Sequence, residues 1–149
     1  MTQVNTPTAS VVYAAANILG EDLVWHAERK SVFWVVVEEK KLQEIKWPSR
    51  EVNSRDMPHR IGLLVPYRRN RLLTALKGEL AISDDEIGHL ERFADLESDL
   101  IDNCPNDGKW DSSGRLWLGT MNIGAKDFAG SLDCIGKGKS LTKHLSSLY

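Results

Sequence analysis

The 149-residue sequence lacks the features that would place it among disulfide-stabilised, secreted or membrane-spanning proteins. Its two cysteines, Cys104 and Cys134, are too few for a disulfide scaffold, so the cytoplasm is the expected location. No run approaches the roughly 20 apolar residues that span a bilayer, and no membrane partner is expected. The weakly apolar segment 9–19 follows no basic segment, so a secretory signal is not expected either.

The sequence also has no excess of positive charge. The 19 lysines and arginines are outnumbered by 21 aspartates and glutamates, which leaves a net charge of -2. Because nucleic-acid surfaces need an excess of basic residues, no nucleic-acid partner is expected. The basic cluster RRNR at 68–71 lies between apolar runs and is typical of a hairpin turn.

Helical periodicity is almost absent from a chain that is 42% hydrophobic and 27% charged, a composition typical of a globular protein. Only segment 83–100 has apolar residues at helical spacing. Gly88 within it favours a strand followed by a loop, and a short helix is the alternative. The sequence therefore predicts an all-β protein with a single domain over residues 1–149.

What the sequence does contain is a repeat. Three segments each consist of a short strand, a polar turn and a more apolar strand, and they align through Trp25, Val65 and Trp110 at intervals of 40 and 45 residues. Four short strands per 40–45 residues is the period of β-propeller blades. The segments, each with its following alternating stretch, are 21–37 with 41–47, 61–76 with 90–96, and 106–120 with 131–136.

Glu21, Ile61 and Asn106 lie four positions before these anchors. The innermost strand of each propeller blade lines the central channel, so these three positions are expected to meet at one channel mouth. A carboxylate and an amide oxygen at one point are the hard donors that Ca²⁺ or Mg²⁺ prefers, and Ile61 would form an apolar wall. The alternative is that Asn106-Asp107-Gly108 is merely a turn and Glu21 a surface acid.

The remaining polar and aromatic residues of the repeat are interpreted as structural. Asp107 is expected to cap an Asn-Asp-Gly turn, and Asp111 to form hydrogen bonds within the DSSG turn at 111–114. Three tryptophans are predicted to pack between blades: Trp34, Trp47 and Trp117.

The aligned residues resemble the regucalcin/gluconolactonase family, the senescence-marker-protein and luciferin-regenerating-enzyme group. Residues 19–25 (LGEDLVW) resemble its opening Gly-Glu-x-x-Val-Trp motif, and residues 106–121 (NDGKWDSSGRLWLGTM) resemble its Asn-Asp-Gly-Lys stretch. Residues 130–145 resemble the hairpin that follows. The resemblance runs from about residue 10 to the end and implies a six-bladed β-propeller. About three blades, the N-terminal half, would be present in this chain.

The resemblance also implies a function. Members hydrolyse sugar lactones such as gluconolactone with one divalent ion in the channel, usually Ca²⁺, with Zn²⁺ or Mn²⁺ as substitutes. Glu21 matches the first metal ligand, and Asn106 matches the asparagine that faces metal and substrate. In this chemistry the ion polarises the lactone carbonyl, and a carboxylate activates the attacking water as a general base.

Three departures from the family pattern are present. Cys104 stands where the family has an arginine that contacts substrate, and a thiol cannot supply the fixed donors of a guanidinium. Gly124 lies near the place of a substrate-facing acid. The segments that carry the second ligand asparagine and the general-base aspartate are not found, so no catalytic residue is expected in this chain.

The sequence thus leaves more than one function open. The first hypothesis is a metal-dependent lactonase whose isolated N-terminal half is inactive. The alternative is a non-catalytic calcium-binding or propeller assembly protein, and a generic scaffold is a weaker third. Half a propeller would also leave two blade faces uncovered, which predicts self-association through apolar residues on those faces: Phe33, Val35, Leu73, Leu116 and Leu118.

Overall fold

The computed structural model describes residues 7–83, 89–124, 128–136 and 140–148. The regular elements in these ranges are all strands, and they form three four-stranded antiparallel sheets, each built from four consecutive strands. The first sheet contains β1 (Gly20–His26), β2 (Ser31–Val36), β3 (Lys41–Lys46) and β4 (Val52–Asp56). The second contains β5 (Ile61–Tyr67), β6 (Arg71–Leu76), β7 (Gly78–Ser83) and β8 (Leu90–Leu96). The third contains β9 (Asn103–Trp110), β10 (Leu116–Asn122), β11 (Gly130–Ile135) and β12 (Leu141–Leu148).

The three sheets reproduce the predicted repeat. Each begins with the strand that carries an alignment anchor, and these first strands are β1, β5 and β9. The stretch 90–96, for which a helix was the alternative, forms strand β8; Ile87 and Gly88 lie outside the described residues. Arg68, Arg69 and Asn70 form the turn between β5 and β6, as predicted. The described residues contain no helix long and apolar enough to cross a membrane.

The blades pack face to face because alternate residues of their strands point to opposite sides of each sheet. One buried cluster joins the first and second blades, and another joins the second and third. The first cluster consists of Phe33, Val35, Val37, Leu42, Met57, Ile61, Leu64, Leu72, Leu76 and Ala81. The second consists of Leu63, Val65, Leu73, Ala75, Leu80, Ile82, Leu96, Leu116, Leu118 and Ile135.

This packing corrects the expectation about uncovered faces. The five residues named for those faces are 0–2% exposed, because they lie between the blades. The free face of the first blade carries instead a separate cluster of Trp34, Val36 and Ile45, with Ala15 and Val32 packed against it. Self-association through this face stays a prediction.

The three tryptophans predicted to pack between blades lie at neither of the two interfaces. Trp34 belongs to the cluster on the free face of the first blade, and Trp47 is 50% exposed. Trp117 contacts His144 of its own blade, with ring centroids 4.8 Å apart. The interfaces are mainly aliphatic because Leu and Val side chains fill the space between closely stacked sheets.

Candidate functional site

The first strands of the three blades enclose one cavity of about 660 Å³. Residues 21–24 of β1, 64–66 of β5 and 106–110 of β9 line it, so it follows the axis about which the blades are arranged. Glu21 and Asn106 both belong to this lining, as the repeat alignment predicted. Their role as metal ligands stays a prediction.

Each of these first strands contains a β-bulge near its start. The pairing register shifts between Glu21 and Val24 in β1, at Gly62 in β5 and at Asn106 in β9. A bulge inserts one unpaired residue and re-aims the side chains beside it, which is why bulges often occur next to functional sites. Glu21 directly precedes the bulge of β1, and Asn106 is the unpaired residue of the bulge in β9, so both donors lie in strands and not in connecting loops.

This geometry overturns the interpretation of Asn106-Asp107-Gly108 as a turn. All three residues lie inside β9, and Asp107 pairs with Gly119 of β10. Asp107 Oδ1 accepts a hydrogen bond from the amide of Gly108 at 2.6 Å, so its carboxylate is engaged locally but caps no turn. Asn-Asp-Gly commonly marks a hairpin turn, and the signal misled here because a bulge needs the same residue types.

Ile61 does not form the expected apolar wall. Its side chain is 1% exposed and belongs to the cluster between the first and second blades. The cavity is lined from the second blade by Leu64, Val65 and Pro66. The bulge at Gly62 separates Ile61 from these residues, so an alignment without a gap placed the wall too early in the strand.

Asp22 is a functional candidate that the sequence reasoning missed. It lines the cavity next to Glu21, and Asp22 Oδ2 accepts a hydrogen bond from the amide of Leu64 in the second blade. Burial raises its pKa, the Leu64 bond opposes this, and the carboxylates of Asp107 and Glu21 raise it further. The sequence signal was the second acid of the GED triplet at 20–22.

Cys104 is buried and has no disulfide partner. Burial raises the pKa of its thiol, although the positive charges of Arg60 and Lys77 act against this. The thiol is therefore not activated as a nucleophile. Cys104 is not among the described residues that line the axial cavity, and its substrate-facing role stays a prediction.

Asp111 has the structural role predicted for it. Its Oδ1 accepts hydrogen bonds from the amides of Ser113 and Arg115, both at 2.9 Å. Its Oδ2 accepts from Arg115 Nε at 2.7 Å and from Trp117 Nε1 at 3.1 Å. The Arg115 amide, with the other donors, holds the pKa of this carboxyl well below its usual range. Asp111 is thus committed to its turn.

The donor types around the cavity fit a hard cation. Glu21, Asp22 and Asp107 supply carboxylates, and Asn106 supplies an amide oxygen. The carboxylates of Glu21 and Asp107 are near enough to Asp22 to add to the rise of its pKa. Across the described ranges, however, no three acidic, histidine or cysteine side chains lie close enough together to hold a metal ion. The described residues therefore offer part of a coordination shell, and Ca²⁺ takes about 6–8 oxygens.

Sequence comparison identifies the family. The profile of the SMP-30/Gluconolactonase/LRE-like region matches residues 19–148, nearly the whole chain. The chain belongs to this family. The three four-stranded sheets are accordingly blades of a β-propeller, as the resemblance implied, and this chain contains about three such blades.

The family relatives with known names include two lactonases. The chain is 29% identical to the "Putative sugar lactone lactonase" of Rhizobium meliloti (strain 1021), over 90% of this chain and 45% of that protein. It is 24% identical to the 6-deoxy-6-sulfogluconolactonase of Pseudomonas putida, over 76% of this chain and 39% of that protein.

A solved structure of the same family has a closely similar fold. It is the crystal structure of a calcium-binding protein, regucalcin, from Agrobacterium tumefaciens str. C58, and the TM-score is 0.86 at 31% identity. The match covers 92% of this chain and 46% of that one. The chain therefore spans a little under half the length of the relatives that it matches.

Proposed function

We propose that this chain forms part of the channel site of a metal-dependent hydrolase of sugar lactones, with Ca²⁺ as the ion. The observation that carries the proposal is that Glu21 and Asn106, from two blades and two family motifs, line one axial cavity. The names of the two lactonase relatives support the reaction class. The description of the regucalcin relative as calcium-binding supports the choice of ion.

In this proposal the chain's residues bind and orient. Glu21 would hold the ion through its carboxylate, and Asn106 through its amide oxygen, either directly or through water. A divalent ion at this place supplies a Lewis acid that polarises the lactone carbonyl. Leu64, Val65 and Pro66 line the same cavity from the second blade and would exclude water from one side of the substrate, which strengthens electrostatic interactions there.

No general base is assigned among the described residues. Asp111 is held ionised within its turn, and Asp107 accepts the Gly108 amide. The Asp22 carboxylate is engaged by the Leu64 amide. We therefore expect the 149-residue chain by itself to be a poor catalyst, because each described carboxylate that lines the cavity is hydrogen-bonded or assigned to the ion.

The substrate is proposed as a sugar lactone of a kind other than gluconolactone. Cys104 replaces the arginine of the family motif, and its buried, protonated thiol offers one weak donor in place of five strong ones. Gly124 likewise supplies no side chain where the family has an acid near the substrate.

Calcium titration of the 149-residue chain tests the ligand assignment. Amide resonances would be followed by NMR, because this method also detects weak binding, and Glu21→Gln would be compared with the matched change Asp107→Asn. We expect Glu21→Gln to weaken Ca²⁺ by about tenfold or more, since it removes charge from the proposed coordination shell. Asp107→Asn should cost less. Equal losses in the two variants would contradict the assignment of Glu21, and not Asp107, as the ligand.

The second candidate is a non-catalytic calcium-binding protein. The regucalcin similarity and the lack of an assigned base among the described residues favour it. A lactone-hydrolysis assay on the sample used for titration separates the two candidates. Calcium binding without turnover, even when the chain is supplied as part of a longer family protein, would support the second candidate and exclude the first.

A further inference from the structure

The first strand of the second blade, β5, supplies no oxygen donor to the cavity, yet it contacts both strands that do. Its lining residues Leu64, Val65 and Pro66 are apolar. On one side the amide of Leu64 donates to the carboxylate of Asp22 in β1. On the other side the backbone at Gly62 lies against β9. The spacing between Glu21 and Asn106 therefore depends on how β5 holds its two neighbours.

The contact with β1 involves an unusual backbone conformation. Asp22 has a φ of 53°, in the left-handed region, where aspartate is tolerated better than most residues other than glycine. It lies within the β1 bulge, directly after Glu21. Such a conformation persists where the surrounding structure fixes it, and the bond to the Leu64 amide is one such constraint. The direction of the Glu21 side chain is set by the same bulge.

The contact with β9 is a close approach of two backbones. A Cβ placed on Gly62 would lie 1.9 Å from the carbonyl oxygen of Pro105 and 2.9 Å from the amide nitrogen of Asn106. Neither atom can move without moving β9, so only glycine fits here. The peptide that precedes the proposed donor Asn106 is thus seated directly on β5.

We propose that Asp22 is a positioning residue, which anchors the β1 bulge to β5 and so fixes Glu21 relative to Asn106. On the other side of β5, Gly62 allows the backbone of β9 to approach closely. The inference rests on the proposed function only in taking Glu21 and Asn106 as the metal-facing pair. In this proposal Asp22 acts through the Leu64 amide, which donates to its Oδ2, and not as a metal ligand.

Two substitutions at Asp22 separate the effect of its hydrogen bond to Leu64 from the effect of backbone strain. Asp22→Asn keeps an acceptor oxygen and tolerates the left-handed conformation, whereas Asp22→Gly accepts that conformation freely but removes the acceptor. Asp107→Gly is the matched control. It removes a carboxylate from the same cavity, and the observed hydrogen bond of that carboxylate comes from the amide of the adjacent residue, Gly108. All variants would be studied in the 149-residue chain.

The first measurement needs no metal. Hydrogen exchange at the Leu64 amide should become about tenfold faster in Asp22→Gly, the loss expected for a hydrogen bond to a charged group, and change little in Asp22→Asn and in the control. NMR order parameters at Glu21 and Asn106 should fall in Asp22→Gly alone. Unchanged exchange and order in Asp22→Gly would overturn the proposal, whatever the chain binds.

The second measurement is the affinity for Ca²⁺ alone. We expect a loss of about tenfold in Asp22→Gly and of less than about threefold in Asp22→Asn. Equal losses in both would make Asp22 a ligand and overturn the positioning role. If Glu21→Gln leaves the affinity unchanged, the proposed function fails, while the exchange and order measurements still decide the role of Asp22.

Discussion

The two interfaces between the three blades join similar sheets by different means. The first and second blades are joined by an aliphatic cluster around Phe33 and by hydrogen bonds from the Leu64 amide to Asp22, from Arg55 to Ser83 and from Arg60 to Glu38. A polar cavity of about 510 Å³ also lies between them. That cavity is lined by Arg29, Glu44 and other residues, which leaves the outer part of this interface open. Its cohesion therefore comes mainly from apolar burial.

Between the second and third blades the aliphatic cluster is joined by a buried carboxylate. Glu97 follows β8, and its side chain is 6% exposed. It accepts hydrogen bonds from Asn103 at 2.9 Å, from Ser131 at 2.8 Å and from Lys143 at 2.6 Å. All three donors belong to the third blade and lie on β9, β11 and β12, so one side chain connects three strands to the segment between the blades.

The difference shows that similar blades can be repeated while the joints, the interfaces between neighbouring blades, differ in chemistry. An apolar joint resists changes of pH, whereas a joint centred on a carboxylate depends on the charge of that group. Burial alone would raise the pKa of Glu97, but the bonds from Asn103, Lys143 and Ser131 outweigh it and lower the pKa. The second joint should therefore weaken more in acid than the first.

The largest expected effect is at the apolar joint. Phe33 is 2% exposed within the first cluster, and Phe33→Ala should lower the free energy of unfolding by about 4 kcal/mol. Chemical denaturation at neutral pH and at about pH 4 measures it. The loss should be the same at both pH values, and a loss confined to one of them would contradict the apolar description of this joint.

Removal of the buried carboxylate should come next. Glu97→Ala leaves Asn103, Ser131 and Lys143 without their acceptor, so we expect a loss of about 3 kcal/mol in the free energy of unfolding. Glu97→Gln, which keeps the shape and one acceptor, should lose less. A loss below about 1 kcal/mol for Glu97→Ala would mean that the two joints do not differ as described.

The pH dependence of the free energy of unfolding tests the same difference between the two joints. The folded-state pKa of Glu97 lies below its ordinary value of 4.5, so its stabilisation is present above that value and is lost as the pH falls through the folded pKa. The free energy of unfolding of the natural chain should therefore fall more steeply below about pH 4.5 than that of Glu97→Gln. Parallel profiles for the two proteins would refute this assignment.

The smallest effect is expected at an exposed ion pair within the first blade. Lys46 Nζ lies 3.2 Å from Glu51 Oε1, with the two side chains 44% and 57% exposed. Glu51→Gln should change the free energy of unfolding by less than about 0.5 kcal/mol, because solvent screens the pair. This variant is also the reference against which the loss in Glu97→Ala is judged.

Most of the fold could be predicted from the sequence because the blade repeat is local. Alternating strands, polar turns and a 40–45-residue period predicted the three sheets, and the position of Glu21 and Asn106 in one cavity followed from the alignment. The role of Asp111 was also predictable, because an aspartate before Ser-Ser-Gly binds amides within its own turn.

The errors arise where two distant segments meet. A bulge depends on the register between two strands, so Asn106-Asp107-Gly108 could not be distinguished from a turn by its composition. The side on which Phe33 or Leu116 packs depends on which blade lies next to it. The bond from Leu64 to Asp22 joins residues 42 positions apart, and no local pattern predicts it.

The repeated bulge has a consequence for how the channel can vary. In β1 and β9 the bulge falls within the stretch that lines the cavity, and in β5 it lies just before that stretch. Glu21 and Asn106 belong to neither cluster between the blades, whereas Ile61 belongs to the first of them. The channel side chains of the first and third blades can therefore be exchanged without repacking the interfaces, while a change at Ile61 would disturb one of them.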